Sequence, residues 1–135
     1  MLNIPMISNK KRIIPHKEYE LLLKEINHLE NKYSRLPKII RQFKKILKQG
    51  NKIEDVQYLQ DVVTMNTTVK IHNLDTNSIY NLHIVHPKHE KIPEFKVSVL
   101  SPVGISLYAL PTGQIITCST GISKYRLKIL EVSDC

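Results

Sequence analysis

Apolar residues Tyr19, Leu22, Leu23, Ile26, Leu29 and Tyr33 return at steps of three and four, the spacing of one helix face. Glu20 and Lys24 sit at i,i+4 in the favourable order. Ser34-Arg35-Leu36-Pro37 breaks the pattern, because a residue before proline avoids the helical region. A second helix follows, with Ile39, Ile40, Phe43, Ile46 and Leu47 on its inner face, and Gly50-Asn51 stops it. So short a break predicts an antiparallel hairpin with arms of about 20–25 Å. Residues 1–15 have no period and read as a loose arm. Ile53–Gln60 is expected to add a helical turn or two.

From Val62 the period changes to two. Thr67–His72, Ile79–His86, Lys96–Leu100, Gln114–Ser119 and Lys124–Val132 read as strands. Asn73–Asn77 and Thr120–Ser123 read as turns, and Pro87–Pro93 as a polar loop. The densest signal is Lys96–Gly113. There Ser101 can cap a short helix, Pro102 fits its first position and Gly104 permits a close approach to a strand. Val103, Leu107 and Leu110 make its apolar stripe, and Pro111-Thr112-Gly113 is expected to end it. The fold expected is α+β: a loose arm over 1–15, a helical hairpin over 16–60, and over 61–135 a mostly antiparallel sheet of about five strands with one helix.

Composition changes this picture little. The 135 residues are 41% hydrophobic, with no apolar run long enough to span a membrane. The N-terminal stretch lacks the apolar core of a secretory signal, and Cys118 and Cys135 are too few for a disulfide framework. A cytoplasmic monomer is expected. Charge matters more. The formal net charge of +8 points to an acidic partner: nucleic acid, a membrane surface or an acidic protein. Lys38, Arg41, Lys44, Lys45, Lys48 and Lys52 fall in a stretch without an acid, and Lys32, Arg35 and Lys38 mark the hairpin tip. A lysine-rich solvated face explains the same residues without a partner.

Candidate chemistry is thin. His83, His86 and His89 are spaced by three, but on a strand this puts His83 and His86 on opposite faces, so no shared metal is expected. Cys118 has no neighbour in sequence to lower its pKa. Ser101 lacks the setting of a nucleophile, Asp61 and Asp75 stand in a linker and a turn, and no glycine-rich phosphate loop occurs. No enzyme activity and no cofactor are expected.

Three stretches carry a family resemblance: Asp61-Val62-Val63-Thr64-Met65-Asn66-Thr67 with Val69, Ser98–Gly104, and Leu127–Val132. Together they resemble the Gre factors, bacterial transcription elongation factors, and the first resembles their Rnk-type branch, the regulators of nucleoside diphosphate kinase. The resemblance covers residues 61–132. It implies an FKBP-like C-terminal domain and an N-terminal antiparallel coiled coil. It also implies binding to RNA polymerase at the rim of the secondary channel, with Ser101, Pro102, Val103 and Gly104 at the gripping surface. Full-length Gre factors hold a metal with acidic residues at the coil tip and stimulate transcript cleavage; Rnk-type proteins do not. Ala109 and Gln114 depart from the family pattern, which has a glycine and an acid there. In a second register, Arg35-Leu36-Pro37 and Gly50–Tyr58 resemble the first coil helix and its acidic tip, with Glu54 at a tip acid and Asn51 where an acid is needed. A lone coil arm leaves its apolar face uncovered, so the short hairpin is preferred. In both registers no cleavage stimulation is expected. A prolyl isomerase, prompted by the implied fold, and a non-specific nucleic-acid-binding protein are the alternatives.

Overall fold

The computed structural model describes residues 12–54, 61–119 and 123–134. Two compact units divide the chain, one over Lys11–Leu59 and one whose described part begins at Asp61. In the first unit, strand β1 (Ile13–Pro15) leads into helix α1 (His16–Lys32), and helix α2 (Lys38–Gln49) leads into strand β2 (Asn51–Ile53). β1 and β2 pair in parallel, Ile13 opposite Asn51 and Pro15 opposite Ile53. The helices therefore run out from this small sheet and back to it. Glu30, late in α1, meets Lys44 of α2 at 2.6 Å. Leu22, Ile26, Phe43 and Leu47 are buried between the arms, with Ile14 and Leu36 at either end.

Two expectations change here. The loose arm was expected to run to residue 15, but Ile13–Pro15 is a strand with Ile14 fully buried; residues 1–11 lie outside the described residues. Ile53 belongs to β2 rather than to an added helical turn, and residues 55–60 lie outside the described residues. The reason is Gly50. Its N–H closes the last helical bond to Ile46 O, while a Cβ there would strike the buried Ile14 Cδ1 and press on Ile46 O. The glycine lets the chain leave α2 directly against β1.

The second unit is a five-stranded sheet in the order β5-β4-β3-β7-β6. Its strands are β3 (Thr67–Asn73), β4 (Ser78–Val85), β5 (Lys96–Ser98), β6 (Ile115–Ser119) and β7 (Lys124–Asp134). All neighbours are antiparallel except β4 and β5, which are parallel. A bulge between Lys70 and Ile71 makes Leu130 the extra residue of β7. Val69, Ile71, Leu82, Ile84, Ile116, Leu127 and Ile129 are buried on one face. Helix α3 (Pro102–Leu107) contributes Ile105 and Leu107 to the same core. The Thr120–Ser123 turn falls mostly on residues 120–122, outside the described residues.

α3 stops at Leu107, short of the expected Pro111. The competing partner is the segment Asp61–Val63. Ala109 N–H donates to Val63 O (2.6 Å), Val63 N–H to Leu110 O (3.0 Å) and Thr112 N–H to Asp61 O (2.8 Å). To reach these bonds Ala109 turns left-handed, with φ +64°. Leu110 still packs fully buried, now from a turn rather than a helix.

The β3–β4 turn is held by its own side chains. Asn73 Oδ1 accepts from the N–H groups of Asp75 (3.0 Å) and Thr76 (3.1 Å). Asp75 then reaches β7, where Oδ2 accepts from Arg126 N–H (2.6 Å) and Oδ1 from its guanidinium (3.1 and 3.2 Å). These bonds favour the ionised carboxyl and lower its pKa, the backbone bond most and the guanidinium next.

Three outcomes are expected. Gly104→Ala places a methyl against Ser98 O and Val99 Cα, which cannot move aside, and costs about 3 kcal/mol in urea unfolding. Ala109→Gly removes the left-handed penalty of about 1–2 kcal/mol but loses chain entropy and a buried methyl of about the same total, so net stability changes by less than about 0.5 kcal/mol. Asp75 has a folded pKa below its unfolded one, so its contribution is present above the ordinary carboxylate range and lost as pH falls through the folded value. The gap in stability between the wild type and Asp75→Asn is therefore constant near neutral pH and narrows as pH falls below about 4.

Candidate docking surface

The turn Ser101–Gly104 is fixed from below. Ser98 O accepts from both the Ser101 N–H (3.0 Å) and the Ser101 hydroxyl (2.6 Å). The same hydroxyl oxygen accepts from Gly104 N–H (3.1 Å) and caps α3. Ser98 Oγ accepts from Leu100 N–H (3.0 Å), and Ser106 Oγ donates back to Pro102 O (2.7 Å). Gly104 is buried, and its missing Cβ is what lets α3 lie on the Ser98–Val99 backbone. Of the four residues expected at the gripping surface, Gly104 thus cannot meet a partner, and Ser101 has its hydroxyl occupied. Pro102 is exposed and Val103 half-buried, so they are the surface of the turn.

The basic residues of the hairpin fall into three settings. Lys38, Arg41, Lys45 and Lys48 are exposed at spacings of three and four and form one stripe along α2. Lys32 and Arg35 are exposed at the tip, where Lys32 Nζ lies 5.7 Å from the Tyr33 ring centroid. Lys44 belongs instead to the ion pair with Glu30. Glu54 follows β2 at the base of the hairpin, so the register that made it a tip acid does not hold.

The histidines are separated by local structure. His83 Nδ1 lies 2.8 Å from Thr68 Oγ1 across β3 and β4. His86 leaves the strand, and its Nδ1 accepts from Lys88 N–H (3.2 Å) at the start of a 3-10 turn over Pro87–His89. Among the described residues no three His, Cys, Asp or Glu side chains are grouped to hold a metal ion. Cys118 is buried on β6, and burial pushes its thiol pKa up, against a smaller lowering by the Ser106 hydrogen bond.

One pair of residues escaped the sequence reading. Ile92 and Phe95 are 61% and 56% exposed, in and just after a second 3-10 turn (Ile92–Glu94); Ile92 falls in the stretch read as a polar loop, and Phe95 between that loop and the strand from Lys96. The signal available was that Phe95, one of two phenylalanines in the chain, belongs to no alternating run.

Residues 59–134 match the family model described as transcription elongation factor, GreA/GreB, C-terminal. A protein named transcription elongation factor GreA from Thermotoga neapolitana is 30% identical over 110 residues, covering 82% of this chain and 70% of its own length. One of the same name from Clostridium novyi is 29% identical over 110 residues, covering 80% of this chain and 68% of its own. The solved structure of a prokaryotic transcription elongation factor GreA/GreB from Nitrosomonas europaea is 25% identical. It superposes with a TM-score of 0.74 over 93% of this chain and 99% of that one. With its sheet order, its Ser101-capped helix and its Gly104 contact in the matched segment, the chain belongs to the GreA/GreB C-terminal family of transcription elongation factors.

Proposed function

We propose that this protein is an RNA polymerase-binding accessory factor of the Gre type, nearest the Rnk branch, that acts at the secondary channel without stimulating transcript cleavage. Family membership of residues 59–134 is the observation that carries the reading. The C-terminal unit serves as an FKBP-like scaffold for docking, with Pro102 and Val103 as its contact. A turn held by the Ser98 and Ser101 bonds loses little freedom when a partner covers it, which favours affinity. The α2 stripe supplies attraction toward an acidic surface and acts mainly on the rate of encounter.

Cleavage stimulation in full-length relatives needs carboxylates at the coil tip to hold a metal. Here the tip residues Tyr33-Ser34-Arg35-Leu36-Pro37 include no acid, and Lys32 and Lys38 flank them. A basic tip repels a divalent cation, so occupancy of the channel competes with cleavage-stimulating factors rather than replacing them.

Purified chain and bacterial core polymerase are expected to form a complex in a low-salt pull-down. Pro102→Glu paired with Val103→Glu weakens it tenfold or more, about 1.4 kcal/mol or above. Neutralising Arg41, Lys45 and Lys48 instead slows association and flattens its salt dependence. In a stalled-complex assay the chain adds no transcript cleavage and reduces that produced by a Gre factor. Absence of any complex at low salt sinks the proposal, and cleavage above the polymerase-alone level removes the inhibitory part.

A further inference from the structure

Phe95 is held in a conformation that suits it poorly. Its φ and ψ are 59° and 25°, the left-handed region that a bulky side chain rarely adopts. The ring is 56% exposed, so the free protein recovers little burial in exchange. The strain is not a loose end of a moving loop. Phe95 N–H donates to Ile92 O (2.9 Å), and its carbonyl accepts from His83 N–H (2.8 Å). Next to it, Lys96 and Lys91 exchange two backbone hydrogen bonds (2.9 and 3.1 Å), so the segment is pinned along β5. An exposed aromatic ring, rigidly presented at a cost in stability, is the arrangement expected of a contact made outside the molecule.

The surroundings indicate what that contact is. Ile92, 61% exposed, stands three residues before Phe95 on the same 3-10 turn. The nearby acids are occupied. Glu94 is held by Lys91 (2.7 Å) and Lys96 (3.2 Å), and Glu90 Oε2 accepts from Ser98 N–H (3.0 Å). Lys88 makes no ion pair among the described residues. Along residues 88–96, Lys88, Lys91 and Lys96 outnumber Glu90 and Glu94, so the segment that carries the apolar pair is net basic. A single-stranded nucleic acid would stack on Phe95 but gains nothing from Ile92, which has no π-face. An apolar pocket rimmed by carboxylates matches both residues and the charge.

We infer that Ile92 and Phe95 are a preformed anchor that inserts into an apolar pocket on an acidic protein surface. This rests on the polymerase reading above, which supplies that partner. The anchor and the Pro102–Val103 turn lie at the two ends of the β5 segment. Phe95 and Ser101 are six residues apart in sequence, at most about 22 Å even if fully extended. One interface of ordinary size spans both.

The test uses the full chain with Phe95→Gly, Phe95→Ala and Phe95→Leu, measuring thermal unfolding, polymerase affinity and affinity for single-stranded RNA on the same samples. Phe95→Gly is expected to raise the melting temperature by about 2–5 °C, since glycine accepts the left-handed conformation, and to weaken binding tenfold or more. Phe95→Ala weakens binding equally without the gain in melting temperature. Phe95→Leu keeps most of the affinity. Unchanged affinity in Phe95→Gly, or a fall in its melting temperature, overturns the inference. So does loss of single-stranded RNA binding with polymerase binding intact. If the wild-type chain itself fails to bind polymerase, both readings fall; if only the Phe95 series leaves affinity unmoved, this one falls alone.

Discussion

The contact between α3 and the Ser98–Val99 backbone is the constraint on which the C-terminal unit rests. It exists because Gly104 has no Cβ to hold the helix away. At that distance the Ser101 hydroxyl can cap the helix and also donate to Ser98 O, so one side chain satisfies both the helix start and the strand end. A helix of six residues has little stability of its own and takes it from this packing. The neighbouring strap, Asp61–Val63, then ties the far end of the helix through Ala109, Leu110 and Thr112. Helix, strap and edge strand are thus mutually dependent.

That arrangement is built with few glycines. Asp61, Asn66, Asn77, Phe95 and Ala109 all take positive φ. Aspartate and asparagine tolerate that region, but alanine and phenylalanine do not. The two misfits have different settings. Ala109 is buried and bonded to the strap, so its strain is offset inside the fold. Phe95 makes comparable backbone bonds to Ile92 and His83, but its ring is exposed, so no side-chain burial adds to them.

Most of the architecture was legible in the sequence because it follows from period and capping chemistry. The alternation through β3, β4 and β7, the apolar stripes of α1 and α2, the Ser101-Pro102 cap and the Asn73–Asn77 turn are local signals. What was missed is non-local. β1 is three residues long and forms only because β2, far along the chain, returns to pair with it. The end of α3 is decided by competition from Val63, a residue more than forty positions away, rather than by Pro111. The candidate surface followed the same division. The motif Ser101–Gly104 could be located, but which of its residues face outward depends on the close approach, and that leaves Pro102 and Val103. Ile92 and Phe95 could not be seen as a pair, because a 3-10 turn and a left-handed residue bring no periodicity with them.

The parallel pairing of β1 with β2 has a consequence for how such a protein can vary. The two strands clamp the hairpin at its base, where Gly50 lets Asn51 bond to Arg12 O (2.9 Å). Beyond the base the arms are held by side-chain packing and the Glu30–Lys44 pair, and the chain itself connects them only at the tip. Turns of helix can therefore be added or removed in matched pairs at the Tyr33–Pro37 end while the base keeps every bond it has. Reach becomes a dimension that can lengthen or shrink separately from anchorage, and a short member and a long one can share a mount while ending at different depths.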